Sequence, residues 1–129
     1  MPSLSSRLLL CYFSLFVLIR ANGFSFSFLG YLKQVTGLKK GDPDLKVMIA
    51  IGGWNNGGQP FSQMASSAAT RKIFIDSALE FIDKYNFDGL DLDWEYPGLR
   101  GGDPNTDKEN FNKLIKVIIA VELDFYLML

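Results

Sequence analysis

Apolar residues recur along the chain with two different periods, and their alternation predicts the class of fold. Val47-Met48-Ile49-Ala50-Ile51 is a continuous apolar run closed by Gly52-Gly53. That is the pattern of a strand buried on both faces of a parallel sheet. From about Ala68 to Tyr85 the period changes. Ile73, Phe74, Ala78, Phe81, Ile82 and Tyr85 recur at helical spacing, and Asn86 is placed to cap the C-terminus. Residues 89–95 return to a period of two, with Leu90, Leu92 and Trp94 alternating with Asp91, Asp93 and Glu95. A loop follows, with Pro97-Gly98 and Arg100 to Pro104. Thr106-Asp107-Lys108-Glu109 then has the spacing of a capping box, and Phe111, Leu114, Ile115, Ile118 and Ile119 continue a helix.

Weaker patterns flank these elements. Phe24 to Leu29 alternates aromatic residues with Ser and reads as a strand. Tyr31 to Lys40 reads as a short helix interrupted near Gly37, and Gly41 to Asp44 as a turn. Gly52 to Ser67 is a polar, Gly-rich loop containing Trp54 and Phe61. Strand, helix, strand, helix is the order of βα units in a parallel α/β sheet. In such folds the functional groups gather at the C-terminal ends of the strands, which is where the Gly, Trp and acidic residues fall.

Residues 1–23 carry a different signature. Arg7 is a short basic region, and an apolar run from Leu8 to Ile19 follows. The run is short for a bilayer span. Ala21-Asn22-Gly23 offers small residues for cleavage after Gly23, so the segment is expected to be a signal peptide and the chain secreted and extracellular. Arg20 just after the apolar run is an atypical feature. Cleavage would remove Cys11, the one cysteine, and leave residues 24–129 as the mature chain.

Composition narrows the chemistry. The 129 residues are 48% hydrophobic, with a net charge of −1 and no histidine. A single domain at most is expected. Without a basic stripe, nucleic acid is not an expected partner. Nor is a membrane, once the leader is removed. The lack of imidazole excludes Ser-His-Asp and Cys-His mechanisms.

The acids at 88–95 follow the pattern D-x-x-D-x-D-x-E. On a strand, Asp91, Asp93 and Glu95 share one face. Crowded like charges push pKa values apart. Glu95, taken as the last strand residue, is expected to hold a proton near neutral pH and act as a general acid. Asp91 is expected to share a proton with Asp93. Asp93 lacks a second carboxylate at nucleophile spacing, so it is expected to stabilise a charged intermediate rather than attack. Trp54 and Tyr96 offer flat faces that suit a sugar ring. Other readings stay open at this level: a solvated acidic edge strand, or a hard-cation site built from the same three acids.

The stretch Phe87 to Gly98 (FDGLDLDWEYPG) resembles the active-site strand of family 18 glycoside hydrolases, the chitinases. Leu45 to Asn56 (LKVMIAIGGWNN) resembles the preceding barrel strand and its turn, and Asp107 to Phe111 the start of the next helix. The similarity runs from about Val35 to Ile118. It implies a (β/α)8 TIM barrel and retaining hydrolysis of β-1,4-linked N-acetylglucosamine, in which the substrate's acetamido oxygen attacks the anomeric carbon. By resemblance Glu95 protonates the glycosidic oxygen, Asp93 orients the acetamido group, and Asp91 supports Asp93. Gly52, Gly53, Trp54, Asn55 and Tyr96 match sugar-contacting positions. Chitin or chitooligosaccharides are the implied partners, and no metal or other cofactor is expected. Lectin-like relatives typically lose the acid at the position of Glu95, which this chain keeps.

The chain also departs from the family. Ala50 stands where many relatives have Ser. A complete barrel takes about 250 residues, so an incomplete barrel with about three parallel strands is expected, with residues 24–129 forming part of a catalytic domain. FSFSF is read as a remnant of the barrel's second strand. Weak or absent activity is expected of the chain alone, which leaves a non-hydrolytic carbohydrate-binding protein or a nonfunctional fragment as alternatives. The leader is tested by expressing the chain through a secretory route and sequencing the N-terminus of the exported product. A start at Phe24 is expected, and an exported chain that retains Arg7 would contradict it.

Overall fold

The computed structural model describes residues 7–13, 26–121 and 125–127. Strand β1 (Arg7–Phe13) is followed by helix α1 (Phe26–Gly37), a 3-10 turn at Leu38–Lys40 and strand β2 (Leu45–Gly52). A 3-10 turn at Trp54–Asn56, helices α2 (Gln59–Ala65) and α3 (Ala68–Tyr85), strand β3 (Gly89–Asp93), helix α4 (Asp107–Ala120) and strand β4 (Phe125–Leu127) complete the order. All strands pair in parallel in the order β1-β2-β3-β4, so sequential neighbours in the chain are neighbours in the sheet. This is the winding of consecutive barrel staves with helices on one side. Among the described residues the sheet has four parallel strands, against the expected three or so.

Register sorts the side chains onto two faces. Ile49 lies beside Leu90 and Ile51 beside Leu92. With Val47 they join Phe61, Phe74, Phe81, Phe111 and Leu114 in the apolar core between sheet and helices. Met48, Ala50 and Gly52 lie beside Gly89, Asp91 and Asp93 on the opposite face. Val47 to Ile51 is buried throughout, as its unbroken apolar run requires.

Trp94, just beyond β3, is 1% exposed. Its ring stacks on Phe61 at 5.3 Å between centroids and meets Phe111 edge-on at 5.4 Å. Asp88 staples the start of the sheet. Its carboxylate accepts from the Val47 N–H at 2.8 Å and from Lys39 at 3.0 Å, with Lys46 at 3.4 Å. Burial opposes its ionisation, but these donors outweigh burial and hold its carboxyl below the ordinary range. Its role is structural.

Several expectations are corrected. Phe26–Leu29 of the FSFSFL stretch form the first turn of α1 rather than a strand; residues 24 and 25 lie outside the described residues. Alternation over so few residues is outweighed by the helical period of Leu32, Val35 and Thr36, all buried. The strand beside β2 comes instead from Arg7–Phe13, inside the run read as a leader. A strand of apolar residues and the apolar core of a leader share one pattern. The expected loop at 52–67 contains α2, whose Pro60 sits in the first turn, where proline favours a helix start. The capping box at Thr106 is not made. Thr106 donates its hydroxyl to Asp103 at 2.8 Å, and Glu109 pairs with Lys113. Ile73 and Ile119 face outward, at the edges of stripes whose centres are Phe74 and Ile118. Asn86 caps α3 as expected, with φ of 59°. No helix among the described residues is long and apolar enough to cross a membrane.

Phe61 joins α2 to the β3 side of the core with no exposed surface. Phe61→Ala should cost about 3–5 kcal/mol in urea unfolding, whereas Ile73→Ala should stay within about 0.5 kcal/mol. Equal effects from the two substitutions would contradict this packing.

Candidate active site

The site begins where β2 and β3 end. Asp91 is 1% exposed and Asp93 6%, both on the face opposite the helices. Glu95 is half-buried, and it lies in a bend rather than on the strand, because β3 stops at Asp93. The Asp93 carbonyl still accepts the Gly53 N–H at 2.9 Å, which carries the pairing into the turn that closes β2.

That turn needs glycine. Gly52 has φ of 121°, and a Cβ on it would stand 2.1 Å from the Asp93 carbonyl oxygen. Gly53 has φ of 83° and lies against Asp93 Oδ2, where a Cβ would fall at 3.5 Å. Both occupy backbone conformations costly for other residues. Gly52 and Gly53 therefore position Asp93, whatever contacts they make with a ligand.

The electrostatics differ in detail from the expected arrangement. Burial first, then the charge of Glu95 and a hydrogen bond with it, then the charge of Asp91, push the Asp93 carboxyl from 3.8 up to about 6. Asp93 is thus coupled to Glu95 by a hydrogen bond, and to Asp91 by charge alone. Burial also raises Asp91. Neither of its carboxyl oxygens has a hydrogen-bond partner among the described residues. On the β2 side the residue beside it in register is Ala50, whose side chain has no donor to offer. Among the described residues no three acidic, Cys or His side chains are placed to hold a metal ion, so the three acids do not converge as a cation cage.

The aromatic positions are accessible. Trp54 is 60% exposed and Tyr96 41%; Asn55 is exposed too. Trp54 has one face covered, because the Arg100 guanidinium lies 3.6 Å from its ring centroid.

Two residues outside the expected set organise this mouth. Arg100 joins the loop after β3 to the loop after β2, since its carbonyl accepts the Gly58 N–H at 2.9 Å. Asp107, fully buried at the start of α4, accepts from Ser62 Oγ at 2.6 Å, from the Gly98 N–H at 2.9 Å and from the Asp103 N–H at 2.8 Å. It ties α2, α4 and the loop that follows Glu95 and Tyr96. In the sequence Asp107 stands inside a capping-box spacing and Arg100 is one basic residue in a Gly-rich loop. Neither pattern signals a long-range contact.

The family model for Glycosyl hydrolases family 18 matches residues 10–125, wider on both sides than the span of motif resemblance. Probable chitinase 2 of Drosophila melanogaster is 51% identical over 87 residues, which are 67% of this chain and 18% of that protein. The Group IV chitinase of Ostrinia furnacalis, solved in complex with allosamidin, superimposes with a TM-score of 0.68 at 40% identity, covering 76% of this chain and 28% of that one. A chitinase-like agglutinin from Robinia pseudoacacia gives 0.72 at 34% identity, covering 94% and 36%. The chain spans only a minor part of the length of each.

The raised Asp93 carboxyl has a consequence for stability. Its folded-state value lies above its ordinary one, so the folded chain binds more protons between about pH 4 and pH 6. Stability from this group therefore falls as pH rises through that window. Asp93→Asn removes the effect. The variant should be more stable than the parent by about 1–3 kcal/mol at neutral pH, with the difference vanishing below about pH 4. Urea titrations across pH check it; a variant less stable at neutral pH would contradict the sign.

Proposed function

The chain belongs to glycosyl hydrolases family 18, and from that premise we propose that its site carries out chitinase-type hydrolysis of β-1,4-N-acetylglucosamine linkages by a retaining, substrate-assisted route. The observation that carries the reading is the hydrogen-bonded Asp93–Glu95 pair at the end of β3, opening beside the exposed rings of Trp54 and Tyr96. Glu95 donates its proton to the glycosidic oxygen as the C1–O bond breaks. The substrate's acetamido carbonyl oxygen attacks C1 and forms a cyclic oxazolinium. Asp93 holds the acetamido N–H and balances the positive charge that develops. Water then adds to C1 from the side the leaving group vacated and returns a proton to Glu95, so configuration is retained. Asp91, buried behind Asp93, tunes the charge that Asp93 carries. Trp54, Tyr96 and Asn55 meet the sugar chain, and Gly52 and Gly53 bring the β2 turn close enough to it. Chitin or its oligosaccharides are the substrate. Read as a leader, residues 1–23 direct the chain out of the cell, where such a polymer is met; cleavage then removes strand β1 from the sheet.

A second reading is carbohydrate binding without turnover. The similarity to a chitinase-like agglutinin and the exposure of Trp54 support it, while the retained Glu95 favours hydrolysis.

A fluorogenic chitooligosaccharide, assayed beside a chitin pull-down, separates the two. Under the hydrolytic reading turnover is slow in the chain alone and falls by about 100-fold or more in Glu95→Gln, with chitin binding kept. Turnover indifferent to Glu95 overturns the assignment of the acid. Chitin binding by the parent chain without turnover supports the second reading.

A further inference from the structure

Arg100 has a costly backbone. Its φ is 52°, a left-handed conformation disfavoured for residues with a Cβ. A non-glycine residue persists in that conformation only where its surroundings over-determine it. The surroundings do so. The Gly58 N–H holds the Arg100 carbonyl at 2.9 Å. Gly58 packs so close to the Leu99 carbonyl that a Cβ would stand 2.1 Å from it. Asp107 fixes both flanks of the segment through the Gly98 and Asp103 N–H groups. This framework delivers the guanidinium to one face of Trp54, 3.6 Å from the ring centroid. The ring nevertheless stays 60% exposed, so its other face is open.

We propose that Arg100 is a specificity-determining residue: it presents a fixed positive charge behind the Trp54 platform and thereby selects neutral N-acetylated sugar units over cationic glucosamine units on that ring. The inference rests on Trp54 being a sugar platform, as proposed above. A neutral N-acetyl sugar stacks on the open face through its C–H groups and meets no charge penalty. A deacetylated unit carries an ammonium group at acidic pH. That ammonium is repelled by the guanidinium across the ring. It also competes for a π system that the guanidinium already engages. Whatever charge Asp93 and Glu95 carry at the assay pH acts on a cation in parent and variant alike, so changing Arg100 isolates its own effect.

The test measures binding of fully N-acetylated and fully deacetylated oligosaccharides of equal length to the complete chain, by tryptophan fluorescence at acidic pH. The parent should prefer the acetylated ligand. Arg100→Gln should reduce that preference by roughly fivefold, mainly by improving affinity for the deacetylated one, as expected for one screened charge pair at short range. Salt gives a second readout that needs no variant: raising it should move the parent's preference toward that of Arg100→Gln. If both ligands bind and neither the substitution nor salt changes their ratio, the assignment of Arg100 is overturned while the sugar platform stands. If the parent binds neither ligand, the platform falls and the proposal falls with it.

Discussion

A single strand has to serve two incompatible surroundings, and the described structure is arranged around that requirement. Leu90 and Leu92 of β3 pack into the helix-side core, and Trp94 continues that packing past the strand's end. The period of two then obliges Asp91 and Asp93 to face the other way while both remain buried. Burying carboxylates this close costs free energy that apolar burial on the opposite face must offset. The cost appears as the raised proton affinity of both acids. The sheet cannot relieve it by slipping register, because a one-residue shift would drive Leu90 and Leu92 into the acidic face.

The mouth of the site depends on backbone contacts at the same end of the sheet. The Gly52-Gly53 turn approaches the Asp93 carbonyl more closely than any side chain would allow. Asp107 gathers α2, α4 and the loop after Glu95 around one buried carboxylate. The loops after β2 and β3 meet again where Gly58 bonds Arg100. Trp54, Asp93 and Glu95 thus sit on one framework of backbone hydrogen bonds, and positioning by such a framework is what a preorganised site requires.

The parts legible in the sequence are those set by local period or by a chemically unusual cluster. Val47 to Ile51 and the α3 stripe of Phe74, Ala78, Phe81 and Tyr85 were readable because burial repeats with the element's own period. The acids of β3 were readable because strands seldom carry them. Three kinds of feature were not. The strand at Arg7–Phe13 shares its apolar pattern with a leader. The FSFSFL alternation was too short to compete with the helical period that follows it. The pairings of Asp93 with Glu95, Arg100 with Trp54, and Asp107 with Ser62 depend on where loops meet in space, which period does not encode.

The central claim is that Asp93 and Glu95 form a coupled pair in which burial and the neighbouring acid lift the proton affinity of Asp93. The most direct measurement is a carbon-13 NMR titration of the Asp93 carboxyl in the intact chain, compared with the Glu95→Gln variant. The account predicts an apparent value of about 6 in the parent and a lower one in the variant, where the charge of Glu95 is gone while burial and the charge of Asp91 remain. An Asp93 that titrates at the ordinary carboxylate value in the parent, or that is unmoved by Glu95→Gln, would contradict it.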